Sequence, residues 1–152
     1  MKKQDSRSAK SLAKIEKKRG RVARLHTSIS HASRPRPKMV KASDETRHLS
    51  TLLLEEVKTW PEVTTRPMFG LISAFRRRKI FAALPRTRAM DAANSFIFKL
   101  HSPSASMVQR ARKDERVRLG EGKQGWNWYY LNSEQDIRGA LDWLDRAWRL
   151  AK

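Results

Sequence analysis

The sequence predicts an α+β domain: an antiparallel sheet of about four to five strands, covered on one face by helices, behind a disordered basic N-terminal tail. Three observations predict it. All 12 Trp, Phe and Tyr residues fall between Trp60 and Trp148, so the material for a core is confined to the later two thirds of the chain. Short apolar runs joined by tight turns alternate there with stretches of helical periodicity, the pattern of an antiparallel sheet with helices packed on it. The first 43 residues have no large ring and are strongly basic, and such a segment cannot bury enough apolar area to offset its ordering entropy.

Taken in order, the tail spans 1–43, with Ser33-Arg34-Pro35-Arg36-Pro37 as an extended linker, and the folded domain spans 44–152. Ser43 is an N-cap, with Asp44 and Glu45 placed where carboxylates favour the helix dipole. Leu49, Leu52, Leu53, Val57 and Trp60 continue at helical spacing until Pro61. Met68–Phe75 and Ile80–Leu84 then read as a hairpin whose tip is Arg76-Arg77-Arg78-Lys79. A loop from Pro85 to Asn94 leads to a third strand, Phe96–Leu100. Ser102 with Pro103 opens a short helix that reaches Glu115. After a glycine-containing connector (Gly120, Gly122, Gly125), Trp126–Leu131 forms the fourth strand. Ser133 to Asp136 fits a capping box, and Ile137, Ala140, Leu141, Leu144, Ala147, Trp148 and Ala151 stripe the last helix. Lys99 and Asn127, the polar members of their strands, place Ile97, Lys99, Asn127 and Tyr129 on the open face. Phe96, Phe98, Leu100, Trp126, Trp128 and Tyr130 would then lie under the helices.

Charge and chemistry narrow the function. The chain has 152 residues, 34 Lys and Arg against 15 Asp and Glu, and a net charge of +19. Residues 1–50 hold 15 of those cations against 4 acids. With no Cys, disulfides, thiolate nucleophiles and Cys-ligated metals are excluded. No apolar run is long enough to span a membrane or serve as an ordinary secretory signal, so a cytoplasmic location is expected. His101 has no assured carboxylate partner, Glu55-Glu56 and Asp114-Glu115 diverge on helices, and the glycine segment precedes a strand rather than a helix. No catalytic constellation, metal site or cofactor cradle is expected.

The cations carry the functional expectation. Arg19, Arg21 and Arg24 in the tail, Arg76, Arg77, Arg78 and Lys79 at the hairpin tip, Arg86 and Arg88 in the next loop, and Arg110, Arg112 and Lys113 on the middle helix are candidate phosphate contacts. Their bland alternative is a charged edge that discourages aggregation. The expected partner is nucleic acid, DNA or RNA, bound weakly and without base specificity. In the alternative, an adaptor or small-ligand domain uses the open face (Ile97, Lys99, Asn127, Tyr129), with 85–94 as a lid and the charge incidental.

The series Trp60-Pro61-Glu62-Val63-Thr64, Pro67-Met68-Phe69-Gly70, Lys79-Ile80-Phe81-Ala82 and Phe96-Ile97-Phe98-Lys99-Leu100 resembles the TfoX N-terminal domain and its YjbR-like relatives over about residues 46–151. The resemblance implies a CyaY-like α+β fold, an association with transcriptional regulation or DNA binding, and no agreed catalytic site.

Overall fold

The computed structural model describes residues 38–122 and 124–152. The proposed tail, with Arg19, Arg21 and Arg24, lies outside these residues up to position 37. Residues 38–43 do not belong with it, because they are built into the fold. Strand β1 (Met39–Lys41) pairs antiparallel with β5 (Arg88–Met90). Ala42 N–H donates to Thr87 O at 3.1 Å and Ser43 N–H to Ala93 O at 3.0 Å. This short ribbon satisfies backbone groups that a free tail would leave to water.

Helix α1 (Asp44–Lys58) starts where its sequence dictates: the Ser43 hydroxyl accepts from Thr46 N–H at 3.1 Å. Its inward residues Leu49, Leu53 and Val57 are buried. The chain then forms β2 (Val63–Met68), β3 (Leu71–Arg76), β4 (Lys79–Pro85), β5 and β6 (Ser95–Lys99). Helix α2 (Ala105–Lys113), β7 (Val117–Leu119), β8 (Trp126–Tyr130) and helix α3 (Ile137–Leu150) complete it. The main sheet has six strands in the order β2-β3-β4-β6-β8-β7, all paired antiparallel, so the expected four to five strands undercount it.

Three local readings are corrected. Met68–Phe75 is not one strand: Phe69 and Gly70 take positive φ (52° and 81°) and turn the chain between β2 and β3. The middle helix is capped by Ser104, whose hydroxyl accepts from Met107 N–H, rather than by Ser102, which precedes Pro103 and sits at φ 50°. The third concerns β8. Its register with β6 sets Tyr129 opposite Phe96, Trp128 opposite Ile97, Asn127 opposite Phe98 and Trp126 opposite Lys99. Tyr129 and Asn127 therefore point toward the helices, and Trp126 and Trp128 point away.

The helix-side core joins Leu49, Leu53 and Val57 of α1, Ala111 of α2, and Ala140, Trp143, Leu144 and Ala147 of α3 to Phe81, Phe96, Phe98 and Tyr129 of the sheet. Tyr129 is 0% exposed and stacks on Phe96 at 5.2 Å between centroids. Its hydroxyl donates to Asp136 O at 3.1 Å, and burial raises its pKa far above the usual phenol value. Gly139 makes room: a Cβ there would lie 2.5 Å from Tyr129 Oη.

Asp136 closes the capping box expected from the sequence. Its carboxylate accepts from the backbone N–H groups of Asn132 (2.8 Å) and Ser133 (3.1 Å) and from Arg116 Nε. Burial alone would raise its pKa, but those hydrogen bonds and the Arg116 charge outweigh burial and hold the carboxyl below the ordinary range.

Two outcomes follow. Gly139→Ala should lower the unfolding free energy by about 1–3 kcal/mol despite alanine's better helix propensity, and Tyr129→Phe should turn that loss into a small gain, since the clashing oxygen is gone. Chemical denaturation of the four members of this cycle checks it. Because the folded pKa of Asp136 is depressed, its stabilisation is complete above about pH 4, the unfolded value, and disappears as pH falls through the folded one. Denaturation curves from pH 7 to 3 should show that loss. Asp136→Asn, about 1.5–3 kcal/mol less stable at pH 7, should show a shallower one. Glu62, held low by Arg77 and Arg76, leaves a residual slope of the same sign.

Candidate nucleic-acid interface

The far face of the sheet is only half covered. Met39 of β1 and Met90 of β5 pack on Leu71, Ala83 and Ile97, so the segment expected to act as a lid is a fixed ribbon with its methionines seated on the sheet. Beyond the ribbon, Trp126 and Trp128 stand two residues apart on β8, about 7 Å along the strand, both partly exposed. Each indole carries a cation. The Arg118 guanidinium lies 4.4 Å from the Trp128 centroid, and Lys99 Nζ lies 5.6 Å from that of Trp126. Register explains the pairing, since Arg118 is opposite Trp128 and Lys99 opposite Trp126. Arg118 is also held at 2.9 Å by Asp91, whose other oxygen accepts from Lys38 N–H at 2.9 Å. The side chain that stacks on the indole is thus fixed in place before any ligand arrives.

Of the four predicted open-face residues, Lys99 belongs to this surface. Ile97 faces the same way but is 7% exposed beneath the ribbon. Asn127 and Tyr129 are corrections, being buried on the opposite side. Asn127 is polar for a structural reason: its Nδ2 donates to Gly125 O at 3.0 Å and its Oδ1 accepts from Gly120 N–H at 3.3 Å, closing the glycine loop on itself. An Asn beside a glycine loop was the one signal that could have reversed the assignment and exposed the two tryptophans as surface residues.

The predicted cations divide by partner. Arg76 is 16% exposed, hydrogen-bonded to Glu62 (3.1 Å) and to Trp148 O (3.2 Å), with its guanidinium 4.3 Å from the Trp148 centroid, so it serves packing. Arg77 meets the other Glu62 oxygen at 2.6 Å. Arg78, Lys79, Arg86, Arg88, Arg110, Arg112 and Lys113 are exposed and have no ion-pair partner among the described residues. Arg110 and Lys113 share a cleft of about 370 Å³ with Ser104, Ser106 and Arg146, on the helix side of the sheet. That cleft and the indole face therefore lie on opposite sides of the sheet.

Among the candidates for chemistry, His101 Nε2 lies 2.8 Å from Ile80 O, which commits that nitrogen as a donor. Among the described residues no three His, Cys, Asp or Glu side chains cluster as metal ligands, and no helix is long and apolar enough to cross a membrane.

The reversed faces of β8 make an energetic prediction. Tyr129→Ala should cost about 3–5 kcal/mol of stability, whereas Trp126→Ala, at the partly exposed rim, should cost less than about 1.5 kcal/mol. Urea unfolding of both variants checks the order, which is opposite to the one the strand's polarity suggests.

No family model matches the chain, and no curated protein or solved structure is significantly similar to it. The likeness to the TfoX and YjbR domains is one of short motifs, and a functional reading stands on the geometry of the indole face.

Proposed function

We propose that the chain is a non-enzymatic accessory domain that binds single-stranded DNA or RNA, without sequence preference, on the outward face of β8. The observation that carries this reading is the pair of cation-capped indoles, Arg118 over Trp128 and Lys99 over Trp126. Every nucleobase has a π face, so an indole, or the guanidinium plane already stacked on one, packs bases with little regard to identity. Cations beside them meet the phosphates. A sheet face has no helix to enter a major groove, which favours unpaired strands over duplex. The charge of +19 supports a polyanionic partner and supplies the salt-dependent part of the affinity.

Fluorescence anisotropy with labelled single-stranded and duplex oligonucleotides, at 50 and 200 mM salt, tests it on the full-length chain. About six phosphate contacts would weaken single-strand binding by a few hundredfold over that range. Trp126→Ala should lose about tenfold at either salt, a neutral stacking contribution that ionic strength does not remove. Arg118→Gln should lose affinity and also flatten the salt slope. Tighter binding to duplex than to single strands, or an unchanged affinity in Trp126→Ala, would overturn the reading.

A further inference from the structure

The β2–β3 turn combines two features that folding alone does not call for. Met68 pairs with Leu71, leaving a two-residue turn in which both Phe69 and Gly70 have positive φ, 52° and 81°. That turn type favours Asn, Asp or Gly at its first position, because a bulky side chain there crowds its own backbone. Phe69 occupies it instead, and its ring is 84% exposed, so it returns no burial for the strain. Strained backbone under an exposed ring marks a residue kept for an external contact.

The surroundings indicate what that contact is. Gly70 O accepts from the N–H groups of Arg86 (3.1 Å), Thr87 (2.9 Å) and Arg88 (3.1 Å), which wraps this segment around the turn. The Arg88 stem lies against Gly70 so closely that a Cβ there would come within 2.6 Å of Arg88 Cγ. The Arg86 carbonyl is in turn held by Arg47 Nε at 3.1 Å. The turn that carries the exposed ring is thus bordered by the backbone of Arg86 and Arg88, and neither side chain has an ion-pair partner among the described residues. An aromatic tip with two arginines beside it matches a flat, apolar group linked to anions, the chemistry of a nucleotide in an unpaired strand.

We infer that Phe69 is a second base-stacking contact: its ring packs on an unpaired base while Arg86 and Arg88 hold the flanking phosphates. The inference rests on the single-strand reading above but uses a different part of the sheet. β3 and β8 are three strand spacings apart, about 14 Å, and the β1–β5 ribbon lies on the strands between them, so a strand bound at both contacts would pass around that ribbon.

The test uses the full-length chain with wild type, Phe69→Gly, Phe69→Trp and Trp126→Ala, a fluorescent single-stranded oligonucleotide, and an abasic strand with the same phosphates. Phe69→Gly should melt at or above the wild-type temperature, because glycine accepts the turn, yet bind the base-bearing strand about tenfold more weakly. Phe69→Trp should retain affinity, and the abasic strand should not distinguish the variants. If Phe69→Gly binds as wild type while Trp126→Ala is weakened, the Phe69 contact is wrong and the indole face stands. If wild type binds no strand, both readings fall. A lower melting temperature in Phe69→Gly would make the ring structural. Phe69-dependent binding to phosphatidylserine vesicles with unchanged oligonucleotide affinity would assign it to a membrane surface. Either result overturns the inference.

Discussion

The hydroxyl of Tyr129 reaches the Asp136 carbonyl at the floor of the core, and the arrangement of the sheet's outer face depends on that contact. Side chains in a strand alternate with a period of two, so fixing one residue inward fixes all its neighbours. With Tyr129 stacked on Phe96 and held under α3, Trp126 and Trp128 have no choice but the outer face. The same contact joins strand to helix: Asp136 caps the turn into α3, binds Arg116 beside β7, and offers its carbonyl to the tyrosine. A one-residue slip of β8 would bury two indoles under the helices, lift a tyrosine out, and separate Arg118 and Lys99 from the rings they cover.

Much of the fold was legible in the sequence. Ser43 with Asp44 and Glu45, the apolar stripe of α3, the Ser133–Asp136 box and the Arg76–Lys79 hairpin are local signals, and the structure contains each of them. Residues whose role depends on distant partners were not legible. Strand β1 is three residues long and gains its identity only by pairing with β5, 49 positions later. Phe69 reads as an apolar strand residue because hydropathy does not report the sign of φ. Asn127 reads as an exposed polar group because composition does not reveal that two backbone groups of the glycine loop saturate its amide. The indole surface was misplaced for that single reason.

Charge distribution shows a similar division between fold and surface. Among the described residues several acids are engaged by particular cations: Glu62 by Arg76 and Arg77, Asp91 by Arg118, and Asp136 by Arg116. The exposed members, such as Arg77–Glu62 and Arg118–Asp91, add little stability, unlike the buried Asp136, but they restrain where the guanidinium groups lie. Arg76 and Arg118 lie over tryptophan rings at 4.3 and 4.4 Å, so the protein uses acids to aim cations at indoles. Arg76 does this at the partly buried Trp148, as part of the packing of α3. Arg118 does it at the equally partly buried Trp128 on the other face of the sheet, where the guanidinium itself is far more open, its side chain 50% exposed against 16% for Arg76.

The two outer strands of the main sheet have a consequence for how copies of this chain can meet. Strand β2 ends in Pro67-Met68, and Pro67 has no N–H to offer beyond its pairing with β3. At the other side β7 is only three residues long and carries Arg118 at its centre. Both borders are poor templates for another strand. Copies of this chain brought side by side would therefore lie against one another without fusing their sheets, and crowding alone would not turn them into a fibril.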